Sequence, residues 1–374
     1  MLLKNPTKDA VCGRQIAFAA AFLLPAAKLL ETPALLSRYA AGDLLAPATA
    51  HLVLQGVCLF LVLTLLQKSE FSLFERLQRT FKRGTPWILV GLAAYYLFAA
   101  VLPLLDLEKF TYAAFSDTEP TLFVFASFFF LSAFVCSKSL KSVGRCADLS
   151  LFLFLLPFCA LLIMGAFSTD LSKLLPIFGT PMQGNVYAFT FSFPHFSDLP
   201  MLLPLLLFYR PKPSDRKKIM LGYGAGALCV LVFFAVFFGI YDSIAPREHY
   251  AFSKIAQYFP ALDVIGRVDL IFVYLLSIVL LYYTCLPLQY ATELLYCATP
   301  IKNRASISFW INTAALFFTL FCNKYYNGIY RFFCQRLFWI FAFVAYLPPI
   351  LLLFLPKDQK IKSTKENTNA KHAQ

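Results

Sequence analysis

Residues 15–41, QIAFAAAFLLPAAKLLETPALLSRYAA, and residues 185–209, NVYAFTFSFPHFSDLPMLLPLLLFY, decide how this chain folds. At about 1.5 Å of rise per helical residue each is long enough to cross about 30 Å of hydrocarbon. Each is also interrupted. Pro25 and Pro33 bracket Lys28 and Glu31 in the first, and Pro194 and Pro200 bracket His195, Ser197 and Asp198 in the second. A proline inside a helix removes an N–H and crowds the preceding turn, so two close together leave several backbone groups without helical partners. Half-helix ends at mid-depth suit a charged small molecule, N-termini favouring a carboxylate and C-termini a cation. An ionisable residue inside a bilayer is costly and persists where it has a partner or a task. His195 and Asp198 are therefore expected to line a polar cavity, with a purely structural hydrogen-bonded pair as the alternative. Lys28 has two open outcomes. Either it stands at a break, where Lys28 and Glu31 answer the carboxylate and ammonium of an amino acid, or it snorkels to the outer interface.

Working outward, the 374 residues are 59% hydrophobic and 14% charged, the reverse of a water-soluble balance. Apolar runs between charged loops place ten spans near 15–41, 44–66, 86–105, 120–137, 149–167, 184–209, 218–241, 267–292, 305–323 and 332–355. These runs are too long for barrel strands, so the expected fold is an all-α polytopic membrane protein. The transmembrane domain covers 1–356, in two halves of five spans (15–167 and 184–355). A basic tail, 357–374, is expected to be disordered. The charge of +13 is spread over loops, which argues against nucleic acid. Twenty-three of the 33 Lys and Arg fall on one side when the spans alternate: the N-terminus, Lys68–Arg83, Lys138–Arg145, Arg210–Lys218, Lys302 with Arg304, and the tail. The opposite loops carry Asp106, Glu108, Asp117 and Glu119. By the positive-inside rule both termini are cytoplasmic and the span count is even. The first run passes into more membrane sequence, so it is expected to be an uncleaved span rather than a signal peptide.

Two loops have helical spacing. In 69–83, Phe71, Phe74, Leu77 and Phe81 recur on one face and Ser72 with Glu75 forms a capping box, predicting a helix on the cytoplasmic interface. In 247–260, Tyr250, Ile255 and Phe259 fall near one face, predicting a cover over an external vestibule or a plain connector. The ten Cys stand singly and read as packing residues; a meeting of Cys322 with Cys334 is the one disulfide option. Glu293 is expected at the inner interface. Tyr95 and Tyr96 either offer a hydroxyl to the cavity or pack. No HExxH, GxSxG or phosphate-loop motif is present, and the four His are scattered, so an enzyme, a metal site or a cofactor is not expected.

In this order and spacing the residues resemble a known family. Gln15 opens the first span, Pro33 follows its break, and Ala41-Gly42-Asp43 precedes the second. Phe196-Ser197-Asp198 resembles a Phe-Gly-Glu of the sixth span. Tyr258-Phe259-Pro260 and Gly266-Arg267-Val268-Asp269 resemble the entrance to the eighth. The family is that of the B subunits of nutrient germinant receptors, the spore germination permeases of the amino acid-polyamine-organocation (APC) transporter superfamily. The resemblance implies a LeuT/APC-like five-plus-five inverted repeat with broken first and sixth spans. It implies a small germinant, such as an amino acid, bound between them, and signalling to A-type and C-type receptor subunits in the spore inner membrane. A proton-coupled amino-acid transporter is the alternative. The candidate ligand-binding residues are Ala26, Ala27, Lys28 and Glu31 in the first span, Tyr96 in the third, and Phe193, His195, Ser197 and Asp198 in the sixth. Where the family's first span is Gly-rich, this chain has Pro25-Ala26-Ala27-Lys28, which places a lysine in space that a ligand or cation would use.

Overall fold

The computed structural model describes residues 11–68, 71–115, 121–175, 179–209, 212–257, 269–301, 303–323 and 325–354, and their regular structure is helical throughout. Lys4, Lys8, Asp117, Glu119, Tyr258-Phe259-Pro260, Gly266-Arg267-Val268 and the tail 357–374 lie outside the described residues.

The first expected span is two helices, α1 (Gly13–Ala26) and α2 (Thr32–Ala40). A 3-10 turn at Ala41–Leu44 leads into α3 (Leu45–Gln67). The short α4 (Leu73–Phe81) precedes α5 (Thr85–Ala99), α6 (Val101–Phe115), α7 (Thr121–Cys136) and α8 (Leu140–Ala166). The sixth expected span is again two helices, α9 (Met182–Phe191) and α10 (Asp198–Leu207). Then follow α11 (Asp215–Tyr241), α12 (Ala251–Gln257), α13 (Asp269–Ala298) and α14 (Arg304–Asn323). The chain ends with α15 (Tyr326–Arg331), a π turn at Phe332–Arg336, and α16 (Phe338–Phe354).

Among the described residues, six helical stretches are long and apolar enough to cross a bilayer: Thr32–Gln67, Leu73–Phe110, Leu140–Ala166, Asp215–Arg247, Ile271–Ala298 and Arg304–Cys322. Tyr326–Arg336 with Phe338–Leu353, bent by 48°, makes a seventh if counted as one span. The ten expected spans are therefore not ten whole helices. The expected spans 15–41 and 184–209 are split into pieces of 14 and 9, and of 10 and 10, residues. Breaks at these two places were what the proline pairs predicted: Pro25 lies in the last turn of α1 and Pro33 in the first turn of α2, while Pro194 lies within the second gap and Pro200 in the first turn of α10.

Close helix contact holds α1 in place. On α11, Gly222 and Gly226 stand four residues apart and face α1; a Cβ on Gly226 would sit 2.9 Å from the Ala20 carbonyl oxygen, and one on Gly222 would overlap the Ala17 carbonyl. Small residues one turn apart let two backbones approach, which is how helices gain packing energy where the hydrophobic effect is absent. At the same end of the bundle Tyr209 donates to Asp215, Gln15 donates to Asp148 at 3.1 Å, and Gln67 reaches the Lys212 carbonyl at 3.3 Å. The basic segments beginning at residues 68, 138 and 210 thus adjoin one end.

The capping box is present as expected: the Glu75 amide donates to Ser72 Oγ at 3.3 Å and the Ser72 amide to Glu75 Oε2 at 3.0 Å. Phe74 and Leu77 are buried beneath α4. All ten cysteines are free, so Cys322 and Cys334 form no disulfide. Glu293, near the C-terminal end of α13, is buried and paired with Arg304 at 2.9 Å.

Candidate functional site

The two breaks meet. After α1 the Lys28 amide turns back to the Pro25 carbonyl at 2.8 Å, an i to i−3 bond that leaves the Leu24 carbonyl without its helical donor. The Lys28 ammonium supplies one: Nζ donates to Leu24 O at 3.0 Å and to Asp198 Oδ1 at 2.5 Å. Lys28 therefore does not snorkel. Its side chain is wholly buried, that of Asp198 is 3% exposed, and the ammonium lies 4.7 Å from the centre of the Phe196 ring. Lys28 and Glu31, expected to face one ligand together at the break, are turned apart: Lys28 pairs across 170 residues of sequence with Asp198, because α1 brings its break against α10 and points Glu31 the other way. Glu31 accepts from His249 Nδ1 at 2.9 and 2.8 Å. Beside it the segment after α11 adds main-chain donors, Ala251 N to Leu30 O at 3.2 Å and Phe252 N to Leu29 O at 3.1 Å. The loop expected to cover a vestibule thus satisfies the carbonyls that the first break frees; Phe259 lies outside the described residues.

The second break spans residues 192–197, with a 3-10 turn at Phe193–His195. Pro200 has no N–H for the Phe196 carbonyl, and the Gln55 side-chain amide donates to it instead. The same amide's oxygen accepts from the Leu199 amide at 3.0 Å, an unpaired donor of the first turn of α10. Gln55 thus repairs both strands of the break. Four residues earlier on α3, His51 Nε2 meets the Phe189 carbonyl at 2.8 Å and Ser192 Oγ at 3.1 Å, its ring stacked between Phe189 and Phe196. Pro204 likewise frees the Pro200 carbonyl, and Tyr96 OH donates to it at 2.6 Å. Replacing Gln55 by leucine strands a buried carbonyl and a buried amide, so a loss of about 2–4 kcal/mol of unfolding free energy is expected. Equilibrium unfolding in mixed micelles checks this, and a change below about 0.5 kcal/mol would sink it.

A cavity of about 30 Å³ lies beside the ion pair, lined in part by Ala26, Ala27, Glu31, Asp106, Pro194 and His195. It has room for about two waters. Asp106, read from sequence as a loop residue, lies within α6 and accepts from Tyr326 OH at 3.0 Å. His195 meets Tyr330 OH at 3.0 Å through Nε2 and not Asp198. Of the candidate residues, Ala26, Ala27, Glu31 and His195 reach this cavity, while Lys28 and Asp198 form the adjacent ion pair. Three do not line it. Ser197 Oγ turns back onto the Phe193 and Pro194 carbonyls at 3.4 and 3.3 Å, Phe193 packs edge-on against His51 and Tyr346, and Tyr96 braces α10.

Sequence reasoning missed Gln55, His51, Asp106, His249, Tyr326 and Tyr330. One trace of them was available: His51 and Gln55 are polar, four apart, and hence on one helical face of an otherwise apolar run.

His249 is 46% exposed in its side chain, and the hydrogen bond to Glu31, aided by the charges of Glu31 and Glu248, raises its pKa above 6.5 against partial burial and Arg38. A raised folded-state pKa means that the link between loop and break is fully present below about pH 6.5 and is lost as pH climbs through the raised value. Labelling rates of a cysteine placed at Ser253 are expected to rise over that window in the wild type and to be flat with pH in His249→Gln. A flat profile in both would refute the link.

A family model described as "spore germination protein" matches residues 51–327. No curated protein matches the chain. The matched region contains the second break with His195 and Asp198, and it begins after Lys28.

Proposed function

Because the chain belongs to the spore germination protein family, we propose that this integral membrane protein is a receptor subunit that senses a small zwitterionic germinant, an amino acid, where its first and sixth spans break. The observation carrying this is the buried Lys28–Asp198 pair joining the two breaks beside a polar cavity. Each partner offers what one end of an amino acid needs. The ammonium of Lys28 and the amides at the start of α10 suit a carboxylate; the carboxylate of Asp198 and the Leu24 carbonyl suit an ammonium. With space for about two waters the site is closed, so an amino acid enters only by separating Lys28 from Asp198 and moving α1 relative to α10. That movement is the signal passed to A-type and C-type subunits. On this reading the chain has ten spans in five-plus-five repeats, with spans one and six broken, and sits in the spore inner membrane with both termini cytoplasmic.

A thermal-shift screen of the purified full chain tests the proposal. At least one amino acid is expected to raise the melting temperature, while analogues lacking either the carboxylate or the ammonium leave it unchanged. No shift with any amino acid overturns the reading. A second reading, a proton-coupled amino-acid transporter, is favoured by the convergence of Glu31, Asp106 and His195 on one cavity. Uptake of labelled amino acid into vesicles holding this chain alone supports the transporter, and binding without uptake supports the receptor.

A further inference from the structure

A groove of about 520 Å³ runs down the outside of the bundle between α1, α8 and α11. Ala17, Ala21, Gly222 and Ala225 keep its floor low, and Phe154 and Leu155 supply one apolar wall. Lys218 and Cys229, eleven residues apart on α11, mark its extent, which at about 1.5 Å per residue is about 16 Å. That matches one leaflet, half of about 30 Å of hydrocarbon. Its charge is confined to one end. Arg14 and Lys218 both line the groove, with side chains 64% and 59% exposed. Arg145, also exposed, precedes Leu151 on α8 at the same end. Two carboxylates stand near these cations: Asp148, 3.3 Å from Arg14, and Asp215, 4.0 Å from Lys218 and already accepting from Tyr209. The cations keep most of their surface for a further anion.

We infer that this groove is a binding site for one anionic phospholipid, with the acyl chain lying along α1 and α11 and the phosphate between Arg14 and Lys218. Charge complementarity decides the occupant: a partner helix would bring apolar surface to both ends, whereas a phospholipid is charged at one end only and ends at a leaflet's depth. The site is independent of any germinant. A lipid there would lie against Ala17, Phe18 and Ala21 on α1, the half-helix that carries Lys28 toward the break.

The test is native mass spectrometry of the full chain extracted from vesicles of equal phosphatidylglycerol and phosphatidylcholine. Wild-type protein is expected to retain phosphatidylglycerol about tenfold over phosphatidylcholine, and the R14Q/K218Q double variant is expected to lose that preference. Ala225→Phe, which fills the groove, is expected to reduce retention of both lipids. Equal retention by the wild type, or an unchanged preference in the double variant, overturns the inference. A chain dimer abolished by Ala225→Phe would also overturn it, since the groove would then hold a second helix. If Ala225→Phe does not fold, the charge variant still decides.

Discussion

Lys28→Met is expected to lower the unfolding free energy by about 3–5 kcal/mol, because it leaves Asp198 as an uncompensated charge at 3% side-chain exposure. Coulomb attraction inside a dry site is strong only while both partners are present; with one gone, the survivor's desolvation is unopposed. Asp198→Leu alone should cost a similar amount, stranding the ammonium. The two together are expected to recover most of the loss, since replacing a buried pair with apolar side chains of similar size is often neutral. A double-mutant cycle by equilibrium unfolding in mixed micelles measures the coupling. Additive losses would show that the pair is not an energetic unit. The double variant should be folded and still give no melting shift with the amino acids that stabilise the wild type, which separates the site's role from its stability.

The second large effect is expected at Gly222. A side chain there overlaps the Ala17 carbonyl, which is backbone and cannot turn aside, so Gly222→Val must push α1 away from α11. Overpacking of this kind costs about 1–3 kcal/mol and more where backbone must move. The lever runs directly to the break: α1 delivers Lys28, so displacing the helix lengthens the Lys28–Asp198 contact too. A Cβ at Gly224 on the same helix would have nothing within 4 Å, so this residue serves as the control. Gly224→Val is expected to melt near the wild-type temperature and Gly222→Val several degrees lower. Equal behaviour of the two would show that close approach of α1 and α11 does not matter.

Much of this architecture was legible in the amino-acid order. Apolar length placed the helices, because only a continuous helix or a closed barrel satisfies its backbone in lipid. Proline pairs beside ionisable residues located the two interruptions, whereas the Pro348–Pro349 pair, with no such residues beside it, lies inside continuous α16. The presence of Lys28, Glu31, His195 and Asp198 inside apolar runs announced that those side chains would have partners. Ser72 with Glu75 announced the start of α4 in the same local way.

What the order of residues determined, then, is where helices run, where they stop and which side chains must avoid lipid, since each of these is settled within a few turns of backbone. Which groups answer one another was decided only by packing. Glu31 stands three residues from Lys28 yet bonds His249, while Lys28 bonds Asp198 and Gln55 mends a helix 141 residues away. Local periodicity assigns a face to a side chain but no neighbour to that face. The partner depends on how close two backbones approach, and here Gly222 and Gly226 set that approach by the side chains they lack.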